Sequence, residues 1–103
     1  METEQSKPRY VISVAAEILG TRPYTLRYYE RVGIVSPSRS RGNVRLYSES
    51  DLALLRRVIA LTNELGINLA GVEVILRMSQ QIIQLQEAHE AMLQEIERLR
   101  QIR

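Results

Sequence analysis

Residues in the last quarter of the chain recur at alternating intervals of three and four. This stripe consists of Ile82, Leu85, His89, Met92, Ile96 and Leu99. Such spacing places its members on one side of a helix, at the a and d positions of a coiled coil, with Gln, Glu and Arg between them. About 22 residues at 1.5 Å each form a rod of roughly 33 Å, which has no adjacent core of its own. We therefore predict a dimerisation helix over 79–103, with these six residues at the interface.

Two aspects of the stripe have alternative interpretations. The helix could fold back onto its own domain, although a helical body is already complete before it. His89 is the chain's single histidine and titrates near neutrality when unperturbed, so it could sense pH at the interface. A lone polar residue at an a position also fixes register, and this is the interpretation we favour.

A cationic segment interrupts an otherwise mildly acidic chain. Residues 22–45 contain six arginines, three of the five tyrosines and a single acid, Glu30, for a formal charge of +5. The whole chain carries +2, so the remainder sums to −3. Clustered arginines with interleaved aromatic side chains are typical of a nucleic-acid-binding face, whereas scattered arginines are ordinary surface residues. We predict that this segment binds DNA.

Two short helical patterns are separated by Gly20. The first is expected to begin with Ser13 as its N-cap and to end at the glycine. Thr21 is expected to cap a second helix over 22–32, whose first turn tolerates Pro23. A helix, a short turn containing glycine and a second helix with a basic outer face form a helix-turn-helix arrangement.

The second helix has two distinct faces. Leu26 and Tyr29 point toward the first helix. The outer face, at positions i, i+3, i+4 and i+7, is formed by Tyr24, Arg27, Tyr28 and Arg31. Arg27 can make a bidentate contact with guanine and Tyr28 can touch a thymine methyl group, so these two side chains are predicted to enter the major groove.

The residues after this helix predict a two-stranded wing. Ile34–Val35 is expected to start one strand, and 44–47 alternates with the period of two that is typical of a returning strand. Gly42 and Asn43 can supply positive φ at the tip between the strands. Most phosphate contacts are expected from Thr25 and Arg31 of the helix and from four wing residues, Arg39, Arg41, Arg45 and Tyr47.

Capping residues predict where the helices in the rest of the chain begin. The spacing of Ser48 and Asp51 predicts a capping box that opens a helix over 49–65, and a short helix is expected over 69–78. Residues 1–9 are expected to be a disordered leader. The predicted DNA-binding domain therefore covers 10–78.

Composition excludes several classes of function. The absence of cysteine rules out disulfides, thiolate metal sites and a cysteine nucleophile, and one histidine has no second metal ligand at suitable spacing. No group of residues supplies an acid, a base and a nucleophile, so we expect no enzyme activity and no cofactor or metal. No segment approaches the roughly 20 apolar residues that span a bilayer, so a cytoplasmic protein without membrane contact is expected.

Three motifs resemble the MerR family of winged-helix regulators: Thr25-Leu-Arg-Tyr-Tyr-Glu-Arg-Val-Gly33, the strand Arg45-Leu-Tyr47, and the turn Gly66-Ile-Asn-Leu-Ala-Gly71. The resemblance implies a mainly α fold, with a winged helix-turn-helix domain followed by a C-terminal antiparallel coiled-coil dimerisation helix. It also implies that Arg27, Tyr28, Arg45 and Tyr47 contact DNA. The complete predicted DNA-binding set is Tyr24, Thr25, Arg27, Tyr28, Arg31, Arg39, Arg41, Arg45 and Tyr47.

Within the family, Ile12-Ser-Val-Ala-Ala-Glu17 and Asn68-Leu-Ala-Gly71 resemble the HspR subgroup of heat-shock repressors. This implies a dimeric repressor that binds inverted-repeat operators of chaperone genes, with a DnaK-type chaperone as corepressor. The wing turn Gly42-Asn43 followed by Arg45-Leu-Tyr47 also resembles the nitrogen regulators GlnR and TnrA. A third interpretation is an adaptor, in which the coiled coil binds a protein partner and the basic face is incidental.

Overall fold

The computed structural model describes residues 3–102 and divides into two compact units, with the break between Ile67 and Asn68. This break precedes the boundary predicted at 78. The elements of the first unit are β1 (Tyr10–Val11), α1 (Ile12–Leu19), α2 (Pro23–Arg31), β2 (Ser38–Arg39), β3 (Arg45–Tyr47) and α3 (Glu49–Asn63). The second unit contains one long helix, α4 (Leu69–Gln101). The mainly α fold predicted from the sequence is confirmed.

The helix-turn-helix forms where the sequence predicted it, but its capping differs. Helix α1 begins at Ile12 with Val11 as N-cap, so Ser13 lies inside the helix and the prediction that it is the cap is wrong. Gly20 ends α1 with φ 68°, a left-handed conformation that glycine adopts without steric cost. The N-cap of α2 is Arg22, without a side-chain hydrogen bond, so the cap predicted at Thr21 is also wrong. The amide of Thr21 instead donates to the carbonyl of Ala16 and closes the turn.

The core of the first unit is small and contains no large aromatic side chain other than tyrosine. Ten apolar residues of this unit are buried: Ala15, Ala16, Leu26, Tyr29, Val35, Pro37, Tyr47, Leu52, Leu55 and Val58. They come from α1, α2, α3 and β3 and from the segment after α2, so burial of apolar surface joins these parts of the chain.

The wing is a three-stranded antiparallel sheet in the order β1-β3-β2. The strand predicted at Ile34–Val35 is wrong, because the amide of Ile34 donates to the carbonyl of Tyr29 at the end of α2 and the Val35 side chain enters the core. The strand forms instead at β2, where Ser38 faces Leu46 and Arg39 faces Arg45. At the tip, only Asn43 has positive φ, 61°, whereas Gly42 does not.

The third strand was not predicted. In β1, Tyr10 pairs with Tyr47 and Val11 with Leu46. Residues 3–9, expected to be a disordered leader, make hydrogen bonds with the domain: Arg9 donates its amide to the carbonyl of Tyr47, and the carbonyl of Gln5 accepts from the amide of Ser50. Met1 and Glu2 of that leader lie outside the described residues.

Helix α3 begins as predicted. The Ser48 hydroxyl accepts from the amide of Asp51 at 3.0 Å, and the Asp51 carboxylate accepts from the amide of Ser48 at 2.9 Å, which confirms the capping box. The helix ends at Asn63, two residues before the predicted 65, and Gly66 follows with φ 67°.

Helix α4 is a single helix of 33 residues, whereas a short helix over 69–78 and a separate one over 79–103 were predicted. Asn68 caps it, with its side-chain oxygen accepting from the amide of Gly71 at 2.8 Å. At 1.5 Å per residue the helix is about 50 Å long. Residues 76–82 contain no glycine or proline, so nothing in that stretch interrupts the helix.

Candidate nucleic-acid interface

The outer face of α2 is accessible and the inner face is buried, as the sequence predicted. Tyr24 and Tyr28 are 65% and 44% exposed, whereas Leu26 is fully buried and Tyr29 nearly so. Arg27 is exposed beside them. Pro23 occupies the first turn of the helix, where its missing amide hydrogen costs no internal hydrogen bond. The helix therefore presents tyrosine and arginine side chains on a rigid scaffold, and Thr25 lies between them, half-buried.

Three arginines and one acid line a surface depression of about 340 Å³ where α2 meets the wing. Its lining residues are Arg27, Glu30, Arg31 and Arg45. The net charge of these four side chains is positive, so the depression attracts anions. Two of the arginines come from α2 and one from β3, so helix and wing contribute to one cationic surface.

Glu30 is bonded to two arginines of the wing. Its carboxylate accepts from Arg39 at 3.0 Å and from the Nε of Arg45. Arg39 also donates to the carbonyl of Asn43, so a chain of bonds runs from α2 to the wing tip. The hydrogen bond from Arg45 holds the pKa of Glu30 below its ordinary value of 4.5, and the charges of both arginines act in the same direction against partial burial.

The cations of this surface fall into two groups. Arg27, Arg31 and Arg41 are exposed and have no ion pair or hydrogen bond from their side chains to residues 3–102. Arg39 and Arg45 are bonded to Glu30, but each guanidinium retains other N–H donors. The sequence identified all five arginines, but it gave no signal that Glu30 divides them in this way.

The structure contradicts an accessible position for Tyr47. Its side chain is fully buried, and its hydroxyl has no hydrogen-bond partner within the described part of the chain. Burial raises the pKa of the phenol, and the nearby negative charge of Glu30 raises it further. The period-two alternation places Arg45 and Tyr47 on the same side of β3. On that side Tyr47 is fully buried whereas the Arg45 side chain is 27% exposed, so a DNA contact by Tyr47 does not fit this conformation.

The apolar stripe on α4 is solvent-exposed along its length. Each of Ile82, Leu85, His89, Met92, Ile96 and Leu99 is exposed, and Leu85 reaches 70%. Met78 is 54% exposed and lies four residues before Ile82, so the continuous helix extends the stripe by one position. The sequence contained this signal, but the break predicted near residue 78 concealed it.

Other kinds of site have little support in the described residues. Among residues 3–102 there is no group of three or more His, Asp or Glu side chains placed to hold a metal ion. None of the helices described is both long enough and apolar enough to cross a membrane.

Comparisons with known proteins agree with this geometry. Residues 10–79 match the family model described as MerR HTH family regulatory protein. A Streptomyces coelicolor protein named HspR, a candidate heat shock protein, is 48% identical over 85 residues, covering 82% of this chain and 56% of that protein. The regulator GlnR of Bacillus cereus is 33% identical over 79 residues, covering 77% of this chain and 60% of its own length. The chain thus spans somewhat over half the length of these curated relatives.

Two solved structures share the fold. A MerR-family transcriptional regulator from Bacillus cereus superposes with a TM-score of 0.62 at 25% identity, covering 90% of this chain and 73% of that one. HiNmlR, a MerR family regulator lacking the sensor domain and crystallised with promoter DNA, gives a TM-score of 0.64 at 24% identity, covering 86% and 76%.

Proposed function

The chain belongs to the MerR family of helix-turn-helix regulatory proteins, and on that premise we propose that it is a dimeric transcriptional repressor that binds inverted-repeat operator DNA. The observation that carries the proposal is the cationic surface shared by α2 and the wing. It combines exposed tyrosines with arginines that have no partner among residues 3–102. A surface of this kind supplies both the phosphate contacts that give affinity and the side chains that read bases.

The residues of this surface have different roles. Arg27 and Tyr28 project from the exposed face of α2 and read base edges in the major groove, with Tyr24 beside them. Arg31 and Arg41 contact phosphates. Thr25, Arg39 and Arg45 support these contacts from half-buried or ion-paired positions, and their free N–H or O–H groups face the backbone of the duplex.

Dimerisation through α4 accounts for its exposed apolar stripe. Five apolar side chains and His89 on one helix face would otherwise remain in water. Each Leu or Ile that becomes well buried contributes about 1.5–3 kcal/mol to the stability of the dimer. A two-fold dimer presents two copies of α2 to two half-sites, which requires an inverted repeat. The DNA between the half-sites is then expected to be distorted, so its deformability contributes to specificity.

An antiparallel arrangement that uses all six positions of the stripe has one register. If every a position faces a d position, Ile82 lies opposite Leu99, Leu85 opposite Ile96, and His89 opposite Met92 of the second copy. Two copies of Leu85 are then about 16 Å apart along the axis, which no disulfide spans. Because the sequence contains no cysteine, engineered cysteines test this register cleanly.

The double variant Leu85→Cys/Ile96→Cys is expected to form a disulfide-linked dimer under mild oxidation, and neither single variant is expected to do so. A parallel coiled coil would instead place each residue beside its own copy. Efficient cross-linking of Leu85→Cys alone would therefore overturn the antiparallel interface.

We propose the heat-shock assignment for the regulated genes. The 48% identity to HspR exceeds the 33% identity to GlnR over a similar length, and this difference favours chaperone operons over nitrogen-metabolism genes. A DnaK-type chaperone as corepressor would connect repression to stress, because unfolded proteins would withdraw the chaperone.

Selection of bound fragments from genomic DNA, with and without a purified DnaK-type chaperone, tests the proposal. Enrichment of chaperone-operon promoters, strengthened by the chaperone, is the expected result. Enrichment of glutamine-synthetase promoters would favour the nitrogen regulator instead. Weak, salt-labile and sequence-independent retention would favour the adaptor and contradict a role as a repressor.

A further inference from the structure

Glu30 is the single acid within the cationic segment 22–45, and its position is unusual for a surface that binds phosphates. Its side chain is 22% exposed and lines the same depression as Arg27, Arg31 and Arg45. A carboxylate there repels a nearby phosphate and lowers the net positive charge. A carboxylate at this position is therefore expected to have another effect that favours DNA binding.

The register of the wing strands indicates what this effect is. Arg39 of β2 and Arg45 of β3 face each other directly across the antiparallel ladder. Like charges in directly opposed positions destabilise a strand pair. The Glu30 carboxylate bonds to both guanidinium groups, one on each oxygen, and so neutralises this repulsion from α2.

The same contacts fix the wing relative to the helix that reads bases. The wing strands are only two and three residues long, so few ladder hydrogen bonds define their position. Through Arg39 the bonds continue to the carbonyl of Asn43 at the tip, the residue with positive φ. Glu30 thereby joins the base-reading helix, both strands and the tip in one bonded network.

We propose that Glu30 is a positioning residue for specific DNA binding. By bonding to Arg39 and Arg45, it holds the wing in the orientation in which the wing contacts phosphates while α2 reads the bases. The inference rests on the proposed DNA-binding function. It predicts that Glu30 raises the affinity for operator DNA and lowers the affinity for unrelated DNA. A carboxylate that acted only through its charge would lower both affinities alike.

Two substitutions separate these roles. Glu30→Gln removes the charge and leaves the arginine pair unneutralised. Glu30→Asp keeps the charge but shortens the side chain by one methylene, and we expect it to lose at least one of the two arginine bonds. The matched control is Glu17→Gln on the exposed side of α1, which removes one negative charge from a residue with no ion pair among the described residues.

Affinity is measured by fluorescence anisotropy against an operator fragment recovered by the genomic selection and against a shuffled duplex of equal length, over a range of salt concentrations. Glu30→Gln is expected to weaken operator binding about tenfold and to strengthen binding to the shuffled duplex several-fold. Its salt slope on shuffled DNA should steepen by about 1 to 2, because up to two arginines are freed for phosphates. Glu30→Asp should weaken operator binding at least threefold and leave shuffled-duplex binding within twofold. Glu17→Gln should leave the ratio of the two affinities unchanged.

The outcomes distinguish this inference from the proposed function. If the wild-type protein shows no preference for any recovered fragment, the function is wrong. If the wild type is specific but Glu30→Gln strengthens both affinities equally and Glu30→Asp behaves as wild type, the positioning role is wrong and Glu30 acts only as a charge. Circular dichroism confirms that each variant is folded, and Glu30→Asp decides the question should Glu30→Gln not fold.

Discussion

Replacement of Tyr47 by Phe is expected to stabilise the protein. The substitution removes a fully buried hydroxyl that has no hydrogen-bond partner within residues 3–102, and keeps the ring that fills the core. An unsatisfied buried polar group costs about 1–3 kcal/mol. Allowing for the few dispersion contacts of the oxygen, the expected gain is about 1 kcal/mol in the free energy of unfolding. For a domain of this size that corresponds to a rise of roughly 4–8 °C in Tm.

Urea and thermal unfolding at equal protein concentrations measure this effect, because the stability of a dimer depends on concentration. Tyr10→Phe is the matched control, since it deletes the same atom from a tyrosine whose hydroxyl donates to Glu49. Loss of a hydrogen bond to a charged group is expected to cost about 1.5–3 kcal/mol. The same chemical change should therefore shift Tm in opposite directions at the two positions.

The Tyr47 variant also tests the role implied by the family resemblance. A hydroxyl inside the core makes no phosphate contact, so operator affinity should remain within twofold of wild type. A lower Tm would show that the hydroxyl is satisfied. A tenfold loss of operator affinity with unchanged stability would show that Tyr47 reaches DNA and that its hydroxyl is not enclosed in the core.

Four other outcomes are expected. Ser48→Ala removes the capping-box acceptor of α3 and should cost about 1 kcal/mol in urea unfolding, and no loss would show that the box is not formed in solution. Arg41→Ala should weaken all DNA sequences alike and reduce the salt slope by about 1, whereas a sequence-dependent loss would assign it to base reading. Leu85→Asp should sediment as a monomer, and a persistent dimer would place the interface elsewhere. Because the pKa of Glu30 is lowered in the folded state, its stabilising contribution is present above the unfolded value near 4.5 and is lost as pH falls through the lowered pKa. The Tm difference between wild type and Glu30→Gln should therefore shrink below about pH 4.5, and a constant difference down to pH 2 would contradict the ion pairs.

Elements governed by local rules could be predicted from the sequence. The two faces of α2 follow from helical spacing of arginine and tyrosine against Leu26, and the start of α3 follows from the Ser48 and Asp51 capping box. The exposed stripe of α4 follows from its 3–4 repeat. In each of these cases the determining residues lie within a few turns of one another, so tertiary contacts did not need to be known.

The remaining features depend on contacts between distant parts of the chain. The strand β1 exists because Tyr10 pairs with Tyr47. The wing strand lies at Ser38–Arg39 rather than at the predicted Ile34–Val35, because the amide of Ile34 bonds to the end of α2. Alternation correctly placed Arg45 and Tyr47 on one side of β3, but period two does not tell which side of a strand is buried. The bonds from Glu30 to two strands likewise arise only from the fold.

Sedimentation velocity of the protein mixed with a recovered operator duplex measures whether two copies of the chain read an inverted repeat together. We expect one complex containing two chains per duplex, which disappears when one half-site is scrambled or when Leu85→Asp replaces the wild type. A stable complex of one chain per duplex that is indifferent to the second half-site would contradict it.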